Sequence, residues 1–256
     1  MLRTISISSF IFFLTLTGAK AQIVNIESQR MQTDSDRFVM MVDGSATFRE
    51  TDGEKFQAVA ANLSTQFKSK SLKQILMFLA GADLSRLDKT LISNNAMLHL
   101  RYNYKISSLF RWEAFSQYQT SPLTGVNYRI LMGTGPRIKL NKNQYRLIYV
   151  GSLYMYELEK ITVNEIPLGK FHRISSYASI NLQSANQIFE WNTITYFQPN
   201  ILHVNDYRAT IQSSLVCRIN KKLSLLGQFS GSYDSMPPDG FIPWFYQNTW
   251  GFRLSL

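Results

Sequence analysis

The sequence predicts an all-β protein: a transmembrane antiparallel up-and-down β-barrel of about twelve strands, with short periplasmic turns and longer extracellular loops. Three observations predict it. From Phe38 onward, apolar and polar positions alternate with period two and almost no 3.6-residue pattern is sustained. The repeat is about 18 residues per strand plus turn, too long for the roughly 8 to 12 of a soluble sandwich and suited to tilted strands that cross a bilayer. Short and long connections also alternate along the chain. Only 17% of the 256 residues are charged while 45% are hydrophobic. The longest wholly apolar run beyond the leader, 75–82, is far short of the roughly 18 residues of a spanning helix.

The chain begins with an export signal. Arg3 gives a positive start, Ile5 to Leu16 an apolar core, and Ala19-Lys20-Ala21 the small-x-small pattern of a cleavage site, so residues 1–21 read as a signal peptide cut before Gln22. No cysteine follows the site, which argues against a lipid anchor. Cleavage removes Arg3 and Lys20 and no acid, leaving a basic mature chain. Residues 22–37 form an N-terminal periplasmic or lumenal segment, with an added strand also open for 23–36. Residues 38–256 form the barrel. Export in this form places the protein in the outer membrane of a Gram-negative envelope.

Within the barrel, each strand has one wet and one greasy face. His99, Arg101 and Asn103 alternate with Leu98, Leu100, Tyr102 and Tyr104, and Arg111, Glu113 and Gln117 with Phe110, Trp112, Ala114 and Tyr118. Two stretches are less clean: 145–158 is apolar on both parities and 72–84 nearly so. Aromatic residues gather at strand ends. Tyr102, Tyr104, Phe110, Trp112, Tyr145, Phe189 and Trp191 lie beside the short turns, and Tyr118, Tyr128, Phe197, Tyr207 and Tyr233 lie toward the long loops, as the two interfacial girdles of a barrel require. The short turns are 68–71, 105–108, 141–144, 184–187 and 220–222; the long loops are 159–171, 199–206 and 234–243, the last carrying Pro237, Pro238, Gly240 and Pro243. Tyr246, Trp250, Phe252, Leu254 and Leu256 share one apolar face up to the last residue, the assembly signal that barrel-insertion machinery reads.

The stretches 98–104 (LHLRYNY) and 111–119 (RWEAFSQYQ), with Arg129, Gly133-Thr134-Gly135-Pro136-Arg137 and Met155-Tyr156-Glu157, resemble the salt-induced outer-membrane proteins catalogued as domain of unknown function 481. The resemblance is strongest between residues 95 and 160 and implies an outer-membrane β-barrel. It brings no reaction, ligand or catalytic residue.

Polar parity sends Arg101, Arg111, Arg129, Arg137, Arg173, Arg208, Arg218 and Arg253 into the lumen, with Glu113 and Glu190 as the clearest acids. The lumen is therefore expected to be basic. An open basic lumen favours anions, whereas Arg paired with Glu and Tyr fills a narrow barrel and stiffens it. Twelve strands lie between the filled eight-stranded and open sixteen-stranded cases, and the filling role is preferred. The functional expectation is envelope structure, partner binding or narrow, anion-preferring passage of small solutes, through a porin-like barrel that is not an enzyme. The alternative is a lipid-modifying, phospholipase-like barrel, for which Ser93, Asn95 and His99 on one strand face are the best set of groups. His172 and His203 sit at loop edges. No catalytic residue, metal site or cofactor is assigned. Cys217 faces lipid, and the dispersed charges exclude a nucleic-acid stripe. Expected partners are outer-membrane lipids, the barrel-assembly machinery and an envelope protein.

Overall fold

Alternation of this length leaves backbone groups that no water can satisfy inside a bilayer, and only ring closure pairs them all. In the computed structural model the ring closes. The structure describes residues 36–255 except 52, 123–124, 142, 144 and 162–167. The signal peptide with its cleavage before Gln22, the segment up to residue 35, and Leu256 lie outside the described residues.

Twelve antiparallel strands follow the chain: β1 Phe38–Thr51, β2 Glu54–Lys68, β3 Gln74–Leu87, β4 Thr90–Lys105, β5 Phe110–Ser121, β6 Val126–Lys139, β7 Arg146–Ile161, β8 Gly169–Gln183, β9 Phe189–Pro199, β10 Tyr207–Arg218, β11 Leu223–Asp234 and β12 Trp244–Ser255. Each pairs with its neighbours in sequence, and β12 returns to β1. The pairing at this seam is short, with four residue pairs from Met41↔Ser255 to Gly44↔Phe252, against fourteen from Phe38↔Phe67 to Thr51↔Glu54 between β1 and β2.

Turn chemistry fixes the short-turn end. Asn220 Oδ1 accepts from the Lys222 and Leu223 amides, and Ser184 Oγ accepts from Phe189 N, so each side chain ties its own hairpin. At the other end the loops differ in length. Two connections, 52–53 and 88–89, are tight, and the asymmetry is carried by 162–168, 200–206 and 235–243. The expected loop 159–171 is shorter than its sequence suggested, because β7 runs on to Ile161 and β8 starts at Gly169. The strand keeps Glu159 because Arg129 and Arg208 neutralise it inside the barrel.

The outer surface is apolar. Phe48, Phe78, Leu98, Leu100, Met132, Ile180, Leu215, Leu225 and Phe229 are all exposed, a continuous greasy exterior that water does not tolerate and lipid does. At the long-loop end, outward Phe197, Tyr207, Tyr233 and Trp244 form a ladder of ring contacts with centroids 4.6 to 5.7 Å apart. Tyr102, Tyr104, Trp112, Tyr145, Phe189 and Trp191 are exposed toward the short turns. Cys217 alternates with buried Val216 and so faces outward.

Candidate functional site: a plugged waist below a chamber

Packing inside the barrel divides it in two. In the short-turn half every strand contributes an inward side chain no more than 5% exposed: Asp43, Ser64, Met77, Arg101, Glu113, Arg137, Leu153, Tyr177, Ile194, Gln212, Leu226 and Arg253, from β1 to β12 in order. Space of this kind exists because glycines face inward beside large rings. A Cβ on Gly133 would stand 2.5 Å from the Phe115 ring, and one on Gly151 would stand 2.5 Å from Tyr177.

Glu113 is the hub of this plug. Its carboxylate accepts from Arg101 Nη1 at 3.2 Å, Asn103 Nδ2 at 2.6 Å, Arg137 Nη1 at 3.5 Å and the Tyr177 hydroxyl at 2.7 Å. Tyr177 Oη in turn accepts from Arg137 at 3.3 Å. The Arg137 guanidinium lies 3.7 Å from the centre of the Tyr149 ring. One carboxylate thus links β4, β5, β6 and β8, and a buried charge so surrounded is stable only as a completed network.

A second cluster lines the long-loop half. Glu157 accepts from Arg208 at 2.5 Å and Arg173 at 3.1 Å and lies 3.3 Å from Arg129; Glu159 pairs with Arg129 and, at 3.2 Å, with Arg208. Arg208 also donates to Asp234 at 2.7 Å, and Arg173 donates to both oxygens of Asp206 at 2.9 and 3.0 Å. At the seam, Arg253 makes a two-point contact with Asp43, at 2.7 and 2.8 Å.

All ten lumen residues predicted from sequence have a place in this arrangement. Arg101, Glu113 and Arg137 are in the plug, Arg129, Arg173 and Arg208 in the second cluster, and Arg253 at the seam. Arg111 has its guanidinium 5.8 Å from the Tyr149 ring centre. Arg218 lies 3.6 Å from Glu190, near the short-turn rim. The expectation of a basic lumen is corrected. Among the described residues the eight arginines are matched by eight carboxylates: Asp43, Asp83, Glu113, Glu157, Glu159, Glu190, Asp206 and Asp234. Glu157 and Glu159 escaped the parity reading because β7 is apolar on both faces, and Asp206 and Asp234 because they border loops. Tyr246, Trp250, Phe252 and Leu254 are exposed on the outer face of β12.

The phospholipase-like set does not assemble. Ser93 and His99 are six residues apart on one strand, which separates them by about 20 Å. Asn95 donates to Asp83 at 2.9 Å instead. His99 Nδ1 is 2.8 Å from Gln117 Oε1, and its Nε2 accepts from Arg101 Nε at 3.3 Å, contacts that fit the Nδ1-protonated tautomer and occupy both nitrogens. His172 faces outward, 2.5 Å from the Tyr154 hydroxyl. Among the described residues no three His, Cys, Asp or Glu side chains converge as metal ligands.

Above the plug lies a cavity of about 220 Å³, walled by Asn62, Asp83, Asn95, Phe115, Gln117, Leu153, Met155, Tyr196, Gln198 and Gln212 and roofed by Pro237, Pro238, Phe241 and Ile242.

No curated protein matches the chain by sequence. Among solved structures, the translocator domain of autotransporter NalP from Neisseria meningitidis is similar over 85% of this chain and 86% of its own, at 9% identity and a TM-score of 0.50, a likeness of fold. The KdgM porin aligns over 86% of this chain and 99% of its own, at 10% identity and a TM-score of 0.44. The NanC porin aligns over 85% and 97%, at 9% identity and a TM-score of 0.46. Residues 43–243, from the seam aspartate of β1 to the base of β12, match the family described as "Protein of unknown function, DUF481", and the chain belongs to it.

Proposed function

We propose that this protein is an outer-membrane β-barrel that acts in the envelope by scaffolding and binding, with a lumen closed to free diffusion. The leader ending at Ala21, the apolar exterior and the family support the location. The long loops then face the outside, and the short turns the periplasm. The observation that carries the closed lumen is the plug: twelve strands each place a buried side chain in the periplasmic half, around the fully buried pair Glu113 and Arg137. Water-filled pores leave their charged walls wet, and here Arg101 and Arg137 are buried against the shared carboxylate of Glu113.

Passage of small solutes is the second reading. It is supported by the nature of the blockage, which among the described residues consists of wall side chains with no chain segment threaded between them. Planar-bilayer recording separates the two. The protein is expected to give no persistent ohmic steps; stable steps would establish passage and overturn the closed reading. Should steps occur, the balance of carboxylates against arginines predicts little preference between anions and cations, in place of the anion preference expected from the arginines alone.

A further inference from the structure

We infer that the chamber above the plug is a binding site for a small neutral sugar. Three carboxamides on its wall have hydrogen-bonding capacity that the protein does not use. No protein group reaches either amide atom of Gln212, nor Oδ1 of Asn62, nor Oδ1 of Asn95, and all three side chains are more than nine-tenths buried. Buried amide atoms are seldom left so in folded proteins. They come from β2, β4 and β10, and all three residues line the chamber. An amide offers both donor and acceptor, which is what a hydroxyl, itself both, requires.

The charges on the wall narrow the ligand further. Arg129 and Arg208 are bound to Glu157, Glu159 and Asp234, and Arg101 to Glu113, so each arginine on the wall already has its carboxylate. Asp83 accepts from Asn95 and would repel an anion. Among the described residues no three His, Cys, Asp or Glu side chains converge to hold a metal ion. Phe115 and Tyr196, whose rings are only partly buried, supply apolar surface for the C–H faces of a pyranose ring. The volume of about 220 Å³ falls below the roughly 300–1,000 Å³ of drug-sized pockets and restricts the occupant to about one ring.

The roof is the β11–β12 loop, 235–243. Its base is held where the Tyr207 amide donates to Ser235 Oγ and that hydroxyl donates to Asn205 O, both at 2.8 Å. Its Phe241 ring lies against the β5–β6 turn: a Cβ on Gly125, whose φ is +75°, would stand 2.6 Å from that ring.

The test uses full-length protein in detergent and saturation-transfer NMR with D-glucose and N-acetyl-D-glucosamine as probes, and D-glucuronate as the charged control. Transfer to the neutral sugars is expected, with little to D-glucuronate. Gln212→Leu and Asn62→Leu should each weaken binding at least tenfold, by about one order of magnitude or more, since an amide contact is lost. Gln212→Leu should keep or raise the thermal midpoint, because an apolar side chain of similar size replaces an amide without partners. No transfer to either neutral sugar, equal transfer to D-glucuronate, or undiminished binding in both folded variants would overturn the site. Conductance reports on the plug and these spectra on the chamber, so either inference can fail without the other.

Discussion

Glu113 shows how much one carboxylate can hold inside a barrel. It accepts from four side chains on three other strands and sits between two buried arginines. Glu113→Gln keeps the shape and loses the charge, leaving Arg101 and Arg137 facing each other without their shared counterion. Breaking a buried pair in this way costs about 3–5 kcal/mol. An arginine at the rim behaves differently. Arg218 is 40% exposed and 3.6 Å from Glu190, so Arg218→Gln should cost about 1 kcal/mol or less. Urea titration of both variants in lipid or detergent checks the contrast, and equal losses would show that the plug is not the stabilising layer. The guanidinium half of this network is legible in the sequence, because an Arg between two apolar strand residues can only face inward. The acid half is less so. A filled lumen accepts Tyr149, Leu153 and Met155 on its inner face, and that removes the polar contrast that would have marked Glu157 and Glu159.

At the scale of the element, β12 carries the closure of the ring. Its four pairs with β1 all involve residues 252–255, and they include the Arg253–Asp43 contact between groups 210 positions apart. Strand number, order and the short turns were readable from period and punctuation, but nothing local in the sequence says which aspartate meets Arg253, because that partnership exists only once the ring is closed. The backbones approach so closely here that a Cβ on Gly251 would stand 2.2 Å from Gly44 O. Deleting residues 252–256 therefore removes the whole seam together with the apolar terminus. The truncated chain should lose heat-modifiable migration both in cells and on refolding of the purified chain into detergent. A truncation that refolds in detergent but fails in cells would reduce the terminus to a recognition signal for the assembly machinery, and normal migration in both would remove its role altogether.

For the whole molecule, insertion depends on which way each strand's faces point. Leu100 is 45% exposed on the outside, and Arg101, the next residue, is 3% exposed and bound to Glu113 within. A charge on the lipid face costs about 2–4 kcal/mol near the midplane of the bilayer and less toward its edges. Leu100→Arg should therefore lower the folded fraction in lipid. Arg101→Leu places an apolar group in the plug while Glu113 keeps Arg137, Asn103 and Tyr177, so this barrel should insert and melt at a lower temperature. The folded fraction of both variants, read by heat-modifiable migration after refolding into lipid vesicles, decides between the two faces. If Leu100→Arg inserts normally while Arg101→Leu does not, the greasy face of β4 lines the lumen, and the plug, the chamber and the assignment of every inward arginine fall together.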